Sequence, residues 1–184
     1  NVLMAALVHL VRHAEVENPG HLVYADLPGF GLSPHGVEQA RRVGRYLGPR
    51  PVVAIWSSPL ERSLRTAEEI AARTGVPVKV DPDLTEWAVI GRWKGHAWRD
   101  LPSTFPGDLE AYLEHPDSLP FADEPLDALA ERMAAVARRL DAEHPHGDVV
   151  IVSHQDPIQA GILRLIGSPL GALHQDKPGH GTVV

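Results

Sequence analysis

Two arginines and two histidines stand where apolar runs give way to turns or helices. Arg12 and His13 follow the run Ala5-Ala6-Leu7-Val8 and Leu10-Val11, and Asn18-Pro19-Gly20 comes soon after. Arg62 follows Ser57-Ser58-Pro59, which closes the run Pro51–Trp56. His154 closes the run Val149–Ser153. An apolar run stopped by turn residues reads as a buried strand. In a parallel sheet the C-terminal strand ends share one edge, where open α/β sheets bind ligands. The four side chains can therefore converge although they are distant in sequence. Two guanidinium groups and two imidazoles around one point make an oxyanion site, and a phosphoryl group fits best. The arginine fork matches phosphate oxygens. Helix N-termini after Ser58 and His154 would add backbone N–H donors.

Composition bounds this reading. The chain has 184 residues, 43% of them hydrophobic, enough for one domain with a core. Its net charge of -7 argues against a nucleic-acid or anionic-membrane binder, so any anion site is local. It has no cysteine, which excludes disulfides, thiol nucleophiles and thiolate metal sites. The 11 histidines lack zinc-like spacing. His9 and His13 share a strand face with no further ligand, so no metal site and no cofactor are expected. No apolar stretch reaches the roughly 18 residues of a membrane span. The N-terminal apolar segment is short, lacks a basic start and is not read as a signal peptide. A cytoplasmic protein is expected.

The elements that must position these groups alternate. The first strand covers about residues 5–12, and a Gly/Pro-rich loop fills 14–32. Ser33 is placed to cap a helix opening at Pro34. Val37, Ala40, Val43, Gly44 and Leu47 line its apolar face, and Gly48-Pro49 ends it. The second helix, after Pro59, has the stripe Leu60, Leu64, Ala67 and Ala71. A third strand spans Val76–Val80. Residues 81–124 are irregular, with a short helix around Asp108–Glu114. The stripe Leu126, Leu129, Ala130, Met133, Val136, Ala137, Leu140 marks the clearest helix. A last helix starts at Pro157 with Ile158, Ile162, Leu165 and Ile166 apolar. After a loop, Thr182-Val183-Val184 starts another strand. The pattern predicts an α/β fold, a three-layer α/β/α sandwich with a mostly parallel central sheet. One domain spans 1–184, with an irregular lid around 81–124.

Five stretches, in order, resemble the histidine phosphatase superfamily, the phosphoglycerate-mutase-like proteins. They are Leu10-Val11-Arg12-His13-Ala14-Glu15, Leu32-Ser33-Pro34-His35-Gly36, Ser57-Ser58-Pro59-Leu60-Glu61-Arg62, Leu84-Thr85-Glu86 with Gly91-Arg92-Trp93-Lys94-Gly95, and Val152-Ser153-His154. The resemblance implies the phosphoglycerate-mutase-like fold and covalent phosphoryl transfer. His13 would be the nucleophile, with its other ring nitrogen donating to a fixed acceptor such as a backbone carbonyl. Arg12, Arg62 and His154 would hold the phosphate oxygens, His154 best as a protonated donor. Glu86 would protonate the leaving oxygen and then activate water. That dual role calls for a raised pKa, from desolvation near Trp87 or Trp93. No metal is required. Asn18 and Ser58 are further phosphate candidates, with turn formation beside Pro19 and helix capping as their alternatives. Ala14 stands where the family has Gly, Asn18 lies one position early, and Gln155 replaces a Gly.

The expected activity is a metal-independent phosphomonoesterase acting on a small phosphorylated metabolite through a phosphohistidine. A phosphoglycerate mutase is the alternative, but Glu86-Trp87-Ala88-Val89 stands where mutases carry Glu-Arg-x-Tyr-Gly. A protein phosphohistidine phosphatase and a non-catalytic phosphate-binding or interaction module are the others. Specificity would come from residues 16–31 and 87–124, with Trp87, Trp93 and Trp98 as wall or packing.

Overall fold

The computed structural model describes residues 6–184, so the expected strand start at Ala5 lies outside the described residues. Four parallel strands, β1 (Val8–Arg12), β2 (Val52–Ser57), β3 (Val78–Val80) and β4 (Asp148–Ser153), lie in the order β1-β4-β2-β3. Every residue of β4 is buried, as its unbroken apolar run requires of a central parallel strand. Arg12 pairs with Ser153, and Ser57 with Val152. The C-terminal ends of β1, β4 and β2 are therefore level. The segment Thr182–Val184 adds an antiparallel partner to β1. Leu10 and Val184 exchange both N–H···O bonds at 2.9 Å, and Arg12 N–H donates to Thr182 O at 3.2 Å.

Strand alternation sends side chains to two helical layers. Val11, Ile55, Val150 and Val152 pack with Val43 and Leu47 of α1 (Pro34–Leu47) and with Ala67 and Ile70 of α2 (Glu61–Thr74). Leu10, Ala54, Val149 and Ile151 face the other way. They meet Met133, Val136, Ala137 and Leu140 of a long helix (Leu126–Glu143) and Ile158 of the last helix (Gln155–Ile166). This is the α/β/α sandwich that the element pattern predicts.

Between β3 and the long helix, residues 81–124 form 3-10 turns and two short helices, α3 (Leu101–Thr104) and α4 (Asp108–Glu114). The long helix is thus α5 and the last is α6. Trp87, Trp93, Leu101 and Tyr112 of this segment bury themselves against Leu126, Leu129 and Ala130 of α5. Asp108 pins the segment internally, accepting from Trp93 Nε1 at 3.0 Å and from Arg92 Nε at 2.7 Å. Among the described residues, no helix is long and apolar enough to cross a membrane.

Two helix faces differ from the apolar stripes. The buried face of α2 is Arg62, Ser63, Thr66, Ala67 and Ile70, and Leu64 and Ala71 are only half-buried. Its first turn lies at the ligand edge of the sheet, so polar side chains point inward there. Helix α6 starts at Gln155 and buries Ile158, Ala160, Gly161 and Leu163, while Leu165 and Ile166 are exposed. A Cβ on Gly161 would come within 2.9 Å of Met133 Cβ. Close approach of α6 to α5 selects the small-residue face over the bulkier one.

Ser33 caps α1, accepting from Gly36 N–H at 2.9 Å and donating to Glu15 Oε1 at 2.7 Å. A Cβ on Gly36 would lie 2.0 Å from the Glu15 carbonyl oxygen. The start of α1 is therefore pressed onto the loop that follows His13. Gly36→Ala is expected to destabilise the protein by about 3 kcal/mol, as overpacking of backbone on backbone does. Urea unfolding measures it, and an unchanged midpoint would contradict this contact.

Candidate active site

His13 directly follows β1, with its backbone N–H on Ser153 O at 2.9 Å. Its Nδ1 lies 2.8 Å from the Ala14 carbonyl oxygen. A carbonyl only accepts, so Nδ1 carries the proton and Nε2 keeps its lone pair. Arg62 Nε donates to that lone pair at 3.3 Å. Burial, then the Arg62 charge, holds the His13 pKa well below the usual imidazole value. The ring is therefore neutral, in the tautomer whose Nε2 lone pair faces Arg62.

Arg62, 1% exposed, projects from the first turn of α2. Its Nη2 donates to Ala25 O at 2.8 Å and lies 3.9 Å from Glu86 Oε2, and its guanidinium sits 4.7 Å over the Tyr24 ring. Arg12 donates from Nη1 to Pro178 O and meets His180 Nε2 with Nη2, both at 2.9 Å. Its buried Nε–H has no partner among the described residues.

His154 is the N-cap residue of α6 and is fully buried. Its Nε2 lies 2.8 Å from Ser58 Oγ, and that hydroxyl accepts from Leu60 N–H at 3.3 Å. Ser63 Oγ lies 3.5 Å from the same nitrogen, so two hydroxyls face Nε2. Nδ1 has no hydrogen-bond partner among the described residues and lies 3.6 Å from Glu86 Oε2. Burial, then the Arg62 charge, pushes the His154 pKa well below the imidazole value. In the ligand-free site this opposes the protonated form expected of His154. Ser58, expected to meet phosphate or to cap a helix, is hydrogen-bonded to His154 here.

Glu86 Oε1 accepts from Trp87 N–H at 2.9 Å. Burial, and then the Asp156 charge, raises the Glu86 pKa, while Arg62, the Trp87 N–H and Arg12 pull it the other way. Asn18 reaches the cavity wall but spends its amide on a turn. Nδ2 donates to Leu22 O at 2.9 Å, and Oδ1 accepts from Leu22 N–H at 3.0 Å.

These groups border a cavity of about 270 Å³, with Arg12, His13 and Glu86 on its wall, Arg62 hydrogen-bonded behind His13, and the His154 ring 5.2 Å from the His13 ring. Tyr24, Trp87, Trp98 and Tyr112 line the rest, whereas Trp93 belongs to the core. The segments 16–31 and 87–124 both reach this wall, but so do Gln155, Asp156 and His180. Asp156 accepts from Tyr112 Oη at 2.6 Å and pairs with Lys177. His180 lies in a stretch that reads only as a loop. The one signal was its place two residues before the strand-like Thr182–Val184, which returns the chain to β1.

Residues 8–184 match the sequence model described as histidine phosphatase superfamily, branch 1. This chain belongs to the histidine phosphatase superfamily. An uncharacterised protein of Mycobacterium tuberculosis is 40% identical over 168 residues, covering 89% of this chain and 80% of that protein. Phosphoserine phosphatase 1 of Hydrogenobacter thermophilus is 32% identical over 163 residues, covering 88% and 76%. The solved structure of a mycobacterial glucosyl-3-phosphoglycerate phosphatase with VO3 superimposes with a TM-score of 0.85. It shares 27% identity and covers 96% of this chain and 90% of its own.

Both buried imidazoles are expected by 15N NMR to be neutral at about pH 7, His13 as the Nδ1–H tautomer. Ser58→Ala should shift the His154 ring signals and leave those of His13 unchanged. A protonated His154 in the free protein would contradict the assignment.

Proposed function

We propose that this histidine phosphatase hydrolyses a small phosphate monoester through a phosphohistidine at His13. The observation that carries the proposal is the His13 ring itself. Its Nδ1–H is fixed on Ala14 O, and its Nε2 lone pair lies among Arg62, Arg12 and His154. The names of the phosphatase relatives support the same reaction class.

In the first half-reaction, Nε2 of His13 forms a bond to phosphorus while the ester P–O bond breaks. The Glu86 carboxyl gives its proton to the departing alkoxide. Arg12, Arg62 and His154 donate to the phosphoryl oxygens and stabilise the transition-state charge. A bound dianion also offsets the forces that depress the basicity of His154. In the second half, the Glu86 carboxylate takes a proton from water. The water oxygen bonds to phosphorus, the P–N bond breaks, and inorganic phosphate leaves. Two guanidinium groups supply the positive charge, so the reaction is proposed to be metal-independent. The modest cavity favours a small alcohol part, and the cytoplasm is the proposed compartment.

Hydrolysis of p-nitrophenyl phosphate in the presence of EDTA tests this. His13→Ala should lose activity by about 10³-fold or more. Full activity in that variant would exclude the phosphohistidine. Adding 2- or 3-phosphoglycerate separates hydrolysis from mutase transfer: release of inorganic phosphate is expected, and isomerisation would favour the mutase.

The sign for Glu86 follows from its raised pKa. The acid form is needed when the leaving group is an alkoxide, so kcat/KM for an alkyl phosphate should fall as pH rises through that pKa. Glu86→Gln should abolish this falling limb and lower the rate by about 10²–10⁴-fold. A limb that persists in Glu86→Gln would assign the acid elsewhere.

A further inference from the structure

We propose that His180 is a positioning residue of the phosphate pocket, whose neutral ring nitrogen fixes the Arg12 guanidinium. The inference rests on the proposed phosphate chemistry of this site and extends it to a part of the chain that carries no catalytic motif.

The contact is chemically one-sided. A guanidinium only donates, so His180 Nε2, 2.9 Å from Arg12 Nη2, must accept. The His180 proton then sits on Nδ1, and a doubly protonated ring could not make this bond. Burial, followed by the Arg12 charge, holds the His180 pKa down to about 4, so the accepting form prevails. Pro178 O takes Arg12 Nη1 from the same segment at 2.9 Å. Arg12 is thus gripped through both terminal nitrogens. Its Nε–H remains the unpartnered donor, buried beside the nucleophile.

The segment that grips Arg12 is itself anchored. Gly181 N–H donates to the carbonyls of Arg12 and His13 at 3.2 and 3.3 Å. Gln155 Nε2, from the first turn of α6, donates to Pro178 O at 3.1 Å. Thr182 and Val184 continue the segment along β1. The His180 ring stands 5.4 Å from the His13 ring, at the cavity wall. A long, flexible arginine is thereby held at both terminal nitrogens before substrate arrives, which lowers the ordering cost of binding.

The test compares His180→Leu with His180→Gln. Leucine removes the acceptor and keeps bulk, whereas glutamine returns an uncharged oxygen near the position of Nε2. Isothermal titration with inorganic phosphate and steady-state kinetics with p-nitrophenyl phosphate read the two variants. Loss of a hydrogen bond to a charged group predicts a Kd and KM raised about 10-fold or more in His180→Leu. His180→Gln should return both to within about threefold of the parent protein, with kcat changing less than KM. Phosphate affinity in His180→Leu equal to or tighter than the parent, or equal impairment in both variants, would overturn the assignment. If the parent protein binds phosphate but hydrolyses nothing, the proposed function fails. The titration with phosphate still decides the role of His180.

Discussion

The position of β4 between β1 and β2 is the constraint on which the site depends. Its register sets the three strand ends level, and two backbone bonds extend that register into the loops. His13 N–H reaches Ser153 O, and Ser58 N–H reaches Val152 O, both at 2.9 Å. His13, Ser58 and His154 are therefore indexed to one strand. Hydrophobic burial on both faces of β4 holds that index against slippage, because a one-residue shift would reverse its side chains. The geometry of the candidate site is here a by-product of core packing.

Burial of two guanidinium groups then sets the electrostatics. Arg12 and Arg62 are both desolvated, and their charges add to burial in suppressing protonation of His13 and His154. The same arginines pull Glu86 toward its anion, against burial and Asp156. Under the proposed reaction an incoming phosphate dianion would meet fixed positive charge, and burial and the arginines would work against its tendency to protonate His13.

Much of this was legible in the sequence because strong local signals agreed. The strand runs ending at Arg12 and His154, the Ser33 cap and the α5 stripe each have one physical reading, and the structure follows them. The faces of α2 and α6 were not legible, because apolar periodicity assumes that apolar residues face inward. Arg62 and Ser63 break that assumption at the ligand edge, and Gly161 breaks it where two helices touch. The desolvation that lowers the His154 pKa was not legible either, because sequence shows candidate partners but not burial. His180 was missed because its role comes from a contact with Arg12 at a separation of 168 residues. No periodicity or turn rule spans that distance.

That separation has a bearing on how the protein comes into being. Contacts so distant in sequence close late in folding, after the loop entropy between them has been lost. During synthesis His13 and Arg62 emerge well before β4, His154 and the Pro178–Gly181 segment that complete their surroundings. Until β4 inserts, β1 and β2 have no strand between them to set their register. His13 thus remains without its ordered surroundings through most of translation. The pocket is acquired in a late step, together with the central strand of the sheet.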